Sequence, residues 1–83
     1  MNLTENTMTK DEAETLAKLD QACLNGRAGR ITTNYGEVEV HPTRFHGFCA
    51  EMLDFNNVKR IAFGATASIA FLKLASMTKE MYG

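Results

Sequence analysis

Four side chains of the 83-residue chain are of the types that bind transition metals, namely Cys23, Cys49, His41 and His46. Together they have the composition of a Cys2His2 zinc site. Zinc ligands usually come in close pairs, such as two cysteines separated by two to four residues, whereas Cys23 and Cys49 lie far apart in the chain. The spacing argues against a metal site, and we predict neither a metal nor another cofactor.

A cysteine nucleophile is the second chemistry that these side chains suggest. His46 and Cys49 form an i, i+3 pair, and an imidazole beside a thiol can raise its thiolate content. No third group orients the pair, however, and Cys49 belongs to an apolar run in which a small buried hydrophobe is the simpler interpretation. The sequence also lacks a glycine-rich phosphate loop and the G-x-S-x-G and H-E-x-x-H motifs. We therefore predict no catalytic residues and no enzymatic activity.

Five basic residues would bind phosphates if the fold brought them together: Arg27, Arg30, Arg44, Lys59 and Arg60. Contacts with a nucleic-acid backbone need such a cluster. The net charge of −1 lacks the basic excess that nucleic-acid modules usually show, and nearby acidic residues would balance these charges on a solvated face. Nucleic-acid binding is accordingly the alternative function.

The stretch from Ala65 to Tyr82 predicts a final helix that carries apolar residues on its polar side. Ile69 and Leu72 fall among polar residues, away from the broad apolar face of this helix. A helix that is apolar on more than one side is buried on both sides or forms an interface. We predict a protein-binding surface at Ile69, Leu72, Lys73 and Ser76. The first helix or the N-terminal segment would cover these residues in the alternative, and a homodimer would fit the same observation.

The first helix is predicted by its end signals. Thr9 and Glu12 fit a capping box, and the helix should end at about Asn25, with Gly26 as a left-handed stop. Asp20 projects into the apolar face of this helix, where a carboxylate needs a partner or a route to water. Arg60 is a candidate partner for Asp20.

A β-hairpin should follow, because two β-rich runs flank a turn that contains glycine. Pairing Thr33 with Val38 and Ile31 with Val40 would place both aliphatic ends on the core face. A register that is one residue off would set Ile31 against a glutamate. The sequence therefore predicts a hairpin loop of two or four residues.

A second helix is predicted after Pro42, because the apolar residues there follow i, i+3, i+4, i+7, i+8 spacing. These residues are Phe45, Phe48, Cys49, Met52 and Leu53.

The segment Val58 to Phe63 has two interpretations. It is a third strand with Ile61 and Phe63 on the core face, or it begins one long final helix. Gly64 and the β-branched residues favour the strand.

The amino-acid composition indicates which class of protein this is. The chain is 45% hydrophobic and 23% charged, which is ordinary for a globular domain, and no apolar run approaches the ~20 residues that span a bilayer. The polar N-terminus has no signal peptide, and two cysteines are few for a small secreted domain. We therefore expect a cytoplasmic protein with two free thiols and no membrane partner.

These observations predict an α+β domain in the order helix, β-hairpin, helix, strand, helix, with the helices packed on a small, mainly antiparallel sheet. A helical bundle with a β-hairpin is the alternative. Residues 1–8 should be disordered, and residues 9–83 should form a single domain. The expected function is a non-enzymatic protein-binding module, an inhibitor or adaptor of the kind found among phage and mobile-element accessory proteins.

Overall fold

In a computed structural model, residues 9–45, 47–53 and 56–82 form two helices and a four-stranded antiparallel sheet. The elements are α1 (Lys10–Leu24), β1 (Gly29–Thr33), β2 (Gly36–Pro42), β3 (Phe48–Leu53), β4 (Lys59–Gly64) and α2 (Ala67–Tyr82). The predicted α+β class is confirmed, and the order is helix, four strands, helix. The segment 1–8, which we predict to be disordered, lies outside the described residues. No helix within the described ranges is long and apolar enough to cross a membrane.

The sheet is a meander in the order β1-β2-β3-β4, and both helices pack on the same face of it. Inward-facing side chains of the strands meet the apolar sides of α1 and α2, as the two-residue alternation of strands requires. The buried core consists of Leu16, Leu19, Cys23, Ile31, Val38, Val40, Ala50, Met52, Ala62, Ala67, Ala70, Phe71 and Leu74. Both cysteines are buried and free.

Helix α1 begins and ends as predicted. The Thr9 hydroxyl accepts a hydrogen bond from the Glu12 backbone N–H at 3.1 Å, and the Glu12 carboxylate accepts one from the Thr9 N–H at 3.1 Å. Gly26 takes a φ of +79° just after the helix. Asp20 has the partner that its position demands, but the partner is Ser68 at the start of α2 and not Arg60.

The β1–β2 hairpin has an even-numbered loop, as predicted, but a shifted pairing. Thr33 pairs with Gly36 across a two-residue loop, and Ile31 pairs with Val38 instead of Val40. The Thr33 hydroxyl explains the tight turn, because it donates to the Gly36 carbonyl at 2.8 Å and accepts from the Tyr35 N–H at 3.2 Å. A shift of two residues leaves the faces unchanged, so Ile31, Val38 and Val40 are all buried.

The predicted second helix is wrong, because Phe48–Leu53 is strand β3 at the centre of the sheet. The helical spacing of its apolar residues is also compatible with a strand whose inner face is Phe48, Ala50 and Met52. Gly47 interrupts the predicted helix: it has a φ of +78°, and its carbonyl accepts from the Thr43 N–H at 3.1 Å. This loop delivers the chain to a strand that pairs with neighbours on both sides.

Strand β4 confirms the strand interpretation of the segment after Val58, but its predicted core face is wrong. Ala62 is buried, whereas Ile61 and Phe63 are exposed. The reason is the close approach of α2: a Cβ atom on Gly64 would lie 2.5 Å from the backbone nitrogen of Ala70. Only small residues fit beneath α2 at this point, so the large apolar side chains of β4, Ile61 and Phe63, lie on the opposite face.

Candidate functional site

The open face of the sheet is the surface opposite the two helices, and it is where the alternation of all four strands places a mixed set of side chains. Strand registers put them in cross-strand rows. The open face consists of Arg30, Thr32, Glu37, Glu39, His41, Cys49, Glu51, Leu53, Lys59, Ile61 and Phe63.

Three large apolar side chains are exposed on the β3–β4 side of the open face, beside the pair formed by Glu51 and Lys59. Phe63 is 61% exposed, Leu53 is 59% exposed and Ile61 is 40% exposed. Single exposed apolar residues are common on protein surfaces, but three on two adjacent strands form a patch, which is a feature of interaction sites.

The β1–β2 side of the open face is charged. Arg30 Nε lies 3.2 Å from a carboxylate oxygen of Glu39, and Arg30 Nη1 lies 3.5 Å from one of Glu37. Farther across the sheet, one carboxylate oxygen of Glu51 lies 3.9 Å from Lys59 Nζ. Three glutamates against two basic residues leave this face mildly acidic.

His41, Cys49 and Glu51 form a cluster between the apolar and the charged sides. His41 and Cys49 are cross-strand partners, and Cys49 is also the partner of Phe63. The donor atoms of the three side chains lie within 4.8 Å of one another. Burial raises the pKa of the Cys49 thiol, and the negative charge of Glu51 raises it further, while Lys59 partly opposes this. In the absence of a cation, Cys49 is therefore a neutral thiol rather than an activated nucleophile.

The predicted interface residues lie on the outer surface of α2, on the other side of the molecule from the open face. Ile69 is 41% exposed and Leu72 is 36% exposed. Lys73 is exposed and Ser76 is half-buried. The structure thus brings the four residues together on one side of a helix, with a smaller apolar exposure than on the open face. Their role in binding stays a prediction.

The five basic residues do not form one cluster. Arg30 and Lys59 stand on the two edge strands of the sheet, each beside a glutamate. Arg60 lies on the helix-covered face, where its Nη1 donates to Met81 Sδ at 2.8 Å. Arg27 and Arg44 are exposed in the connections before β1 and after β2. The structure therefore does not bring all five to one face of the sheet, and their role in nucleic-acid binding stays a prediction.

The i, i+3 spacing in the sequence places His46 beside Cys49, whereas the register of the sheet places His41 there. His46 lies outside the described residues. The signal that identifies the cluster is the alternation in 48–53, which places Cys49 and Glu51 on one face once the segment is a strand. Comparison with protein-family models, with curated proteins and with solved structures finds no match.

Proposed function

We propose that this protein is a non-enzymatic, cytoplasmic protein-binding module that inhibits or adapts a partner by occupying its surface. The single observation that carries the proposal is the apolar side of the open face, formed by Leu53, Ile61 and Phe63. The same proposal includes an accessory role for this protein in a phage or mobile element.

The energetics support this surface over the outer surface of α2. Fully burying one large aliphatic or aromatic side chain contributes about 1.5–3 kcal/mol, and every 1.4 kcal/mol is tenfold in affinity. Leu53 and Phe63 are each more than half exposed in the free protein, so a partner that covers them gains most of that amount. Ile69 and Leu72 are already more than half buried, so their further burial contributes less.

The open face also indicates the chemistry of the partner. The apolar side is next to Glu37, Glu39 and Glu51. Their three negative charges outnumber the two positive charges of Arg30 and Lys59. We expect a protein with an apolar patch and a mildly basic rim, because complementary charge favours encounter and register. Binding should depend only weakly on salt, unlike binding to phosphates.

Three leucine-to-aspartate variants test which surface binds. Leu53→Asp changes the open face, Leu72→Asp changes the outer surface of α2, and Leu24→Asp is the matched control at the end of α1, where the leucine is 72% exposed. Tagged protein is used to capture partners from lysate of the source cell, with and without nuclease treatment, and affinity for the purified partner is then measured. We expect Leu53→Asp to weaken binding by about 10-fold or more, Leu72→Asp to weaken it less, and Leu24→Asp to bind as the unmodified protein does.

Each other outcome points elsewhere. Loss of the partner with Leu72→Asp alone would place the interface on α2. Unchanged binding by Leu53→Asp would refute binding through the open face. Capture that disappears with nuclease would favour nucleic acid, and self-association in light scattering that depends on Leu53 would identify a homodimer. Urea unfolding of every variant shows whether lost binding reflects lost folding.

A further inference from the structure

We infer that His41, Cys49 and Glu51 bind one zinc ion, or a similar borderline-soft divalent transition metal, on the open face of the sheet. This inference does not depend on the proposed protein-binding function. Spacing along the sequence argued against a metal, but the pairing of β2 with β3 supplies the proximity that the sequence spacing lacks.

The strand geometry places the three donors around one point. His41 and Cys49 face each other across β2 and β3, and Glu51 follows Cys49 on the same face, since residues i and i+2 of a strand share a face. The ligand atoms all lie within 4.8 Å of one another. In a tetrahedral zinc site, bonds of 2.0–2.3 Å place neighbouring ligand atoms roughly 3.3–3.6 Å apart. Side-chain rotations that close the gaps by about 1 Å therefore complete the site.

The hydrogen bonding of His41 orients the imidazole for metal binding. Its Nδ1 lies 3.2 Å from the Pro42 carbonyl oxygen, which can only accept, so Nδ1 carries the proton in the neutral ring. Metal-binding histidines commonly donate their second nitrogen in this way. This leaves Nε2 for a metal, and it lies 4.0 Å from a carboxylate oxygen of Glu51. A cation placed between these two atoms would be bound by both.

The types of donor select the metal. A thiolate, an imidazole and a carboxylate match zinc, which accepts sulfur, nitrogen and oxygen ligands, whereas calcium and magnesium prefer oxygen ligands alone. Three protein ligands leave a fourth position for water or for a group of a bound molecule. Among the residues that the structure describes, Cys49 Sγ has no hydrogen-bond partner, in contrast to Cys23 Sγ, which donates to the Val40 carbonyl at 3.5 Å.

Lys59 competes with a metal for the Glu51 carboxylate. Its Nζ lies 3.9 Å from the same Glu51 oxygen that faces His41 Nε2. A metal must share or displace that ammonium group. Removing the ammonium group should therefore tighten metal binding, an effect that nonspecific binding to surface side chains would not show.

Titration of chelator-treated protein with Co²⁺, and with Zn²⁺ in competition, tests the site. We expect one equivalent to bind, with a thiolate-to-cobalt charge-transfer band. The band should disappear in Cys49→Ala and persist in the matched control Cys23→Ala. His41→Ala should weaken binding by about 100-fold or more, because losing a ligand exceeds the loss of about 10–100-fold that follows removal of a group that only orients one. Lys59→Met should tighten it by up to about fivefold, the size of one exposed ion pair.

The inference is overturned if no thiolate band forms, if the band persists in Cys49→Ala, or if His41→Ala binds as tightly as the unmodified protein. Should Cys49→Ala fail to fold, the opposite effects of His41→Ala and Lys59→Met still decide, because neither of those side chains is in the core.

Discussion

Asp20 connects the two helices, and its replacement by alanine should lower the free energy of unfolding by about 2–3 kcal/mol. One carboxylate oxygen accepts from the Ser68 N–H at 2.8 Å, and the other accepts from the Ser68 hydroxyl at 2.6 Å. Loss of a side-chain acceptor at a helix N-terminus costs about 1 kcal/mol, and hydrogen bonds to charged groups contribute about 1.5–3 kcal/mol each. Asp20 is half-buried, so water replaces part of this sum.

Urea unfolding followed by circular dichroism measures the effect of Asp20→Ala. A domain of 83 residues has a stability of about 4–12 kcal/mol, so the variant should still fold. With an m-value of about 1–1.5 kcal/mol per molar urea, the midpoint should fall by about 2 M. Asp11→Ala is the matched control, because Asp11 is exposed in the first turn of α1 and loses only about 0.5 kcal/mol of helix-dipole interaction.

A double-mutant cycle with Ser68→Ala tests whether the two residues act through each other. Because both hydrogen bonds of Asp20 end on Ser68, the two substitutions should be less than additive by about 0.5 kcal/mol or more. If Asp20→Ala is as stable as Asp11→Ala, or if the two losses simply add, the connection between the helices has been misjudged.

Three further predictions concern the core and its edges. In urea unfolding, Phe71→Ala should lower the free energy of unfolding by about 3–5 kcal/mol, because Phe71 is fully buried. Phe63→Ala should lower it by less than about 0.5 kcal/mol, because Phe63 lies on the open face. Similar losses for the two variants would contradict the assigned faces. Gly64→Ala should cost about 1–3 kcal/mol in the same assay, since the added methyl meets the backbone of Ala70; an unchanged midpoint would contradict this close approach. Burial raises the pKa of the Cys23 thiol above its usual value, so the unfolded chain loses this proton first and stability should fall as pH rises through the usual range of a thiol. Cys23→Ala should reduce the decline between about pH 8 and about pH 10, and an equal decline would rule out Cys23 as its source.

The features that the sequence predicted correctly are those decided by a few neighbouring residues. The capping box needs only Thr9 and Glu12, three positions apart, and Gly26 ends α1 by its own conformational freedom. The even-numbered hairpin loop follows from the requirement that Ile31 and Val40 share a face. Local chemistry is therefore enough for the ends of α1 and for the faces of the hairpin.

The errors arose where contacts between distant segments decide the structure. The apolar spacing of Phe48–Leu53 suits a helix as well as a strand, and pairing with β2 and β4 determines the outcome. The core face of β4 depends on how closely α2 approaches Gly64. These two errors concealed the candidate site, because a helical Cys49 has no cross-strand partner and a buried Phe63 leaves no apolar patch.

Pairing of β3 with β2 and β4 places His41, Cys49 and Phe63 in one row on the open face, and nuclear magnetic resonance tests this placement most directly. We predict interstrand nuclear Overhauser contacts between His41 and Cys49 and between Cys49 and Phe63, matching the registers of the sheet. Helical i, i+3 contacts between Phe48 and Glu51, without contacts across strands, would contradict the fold. Both proposals for the open face would then fail together.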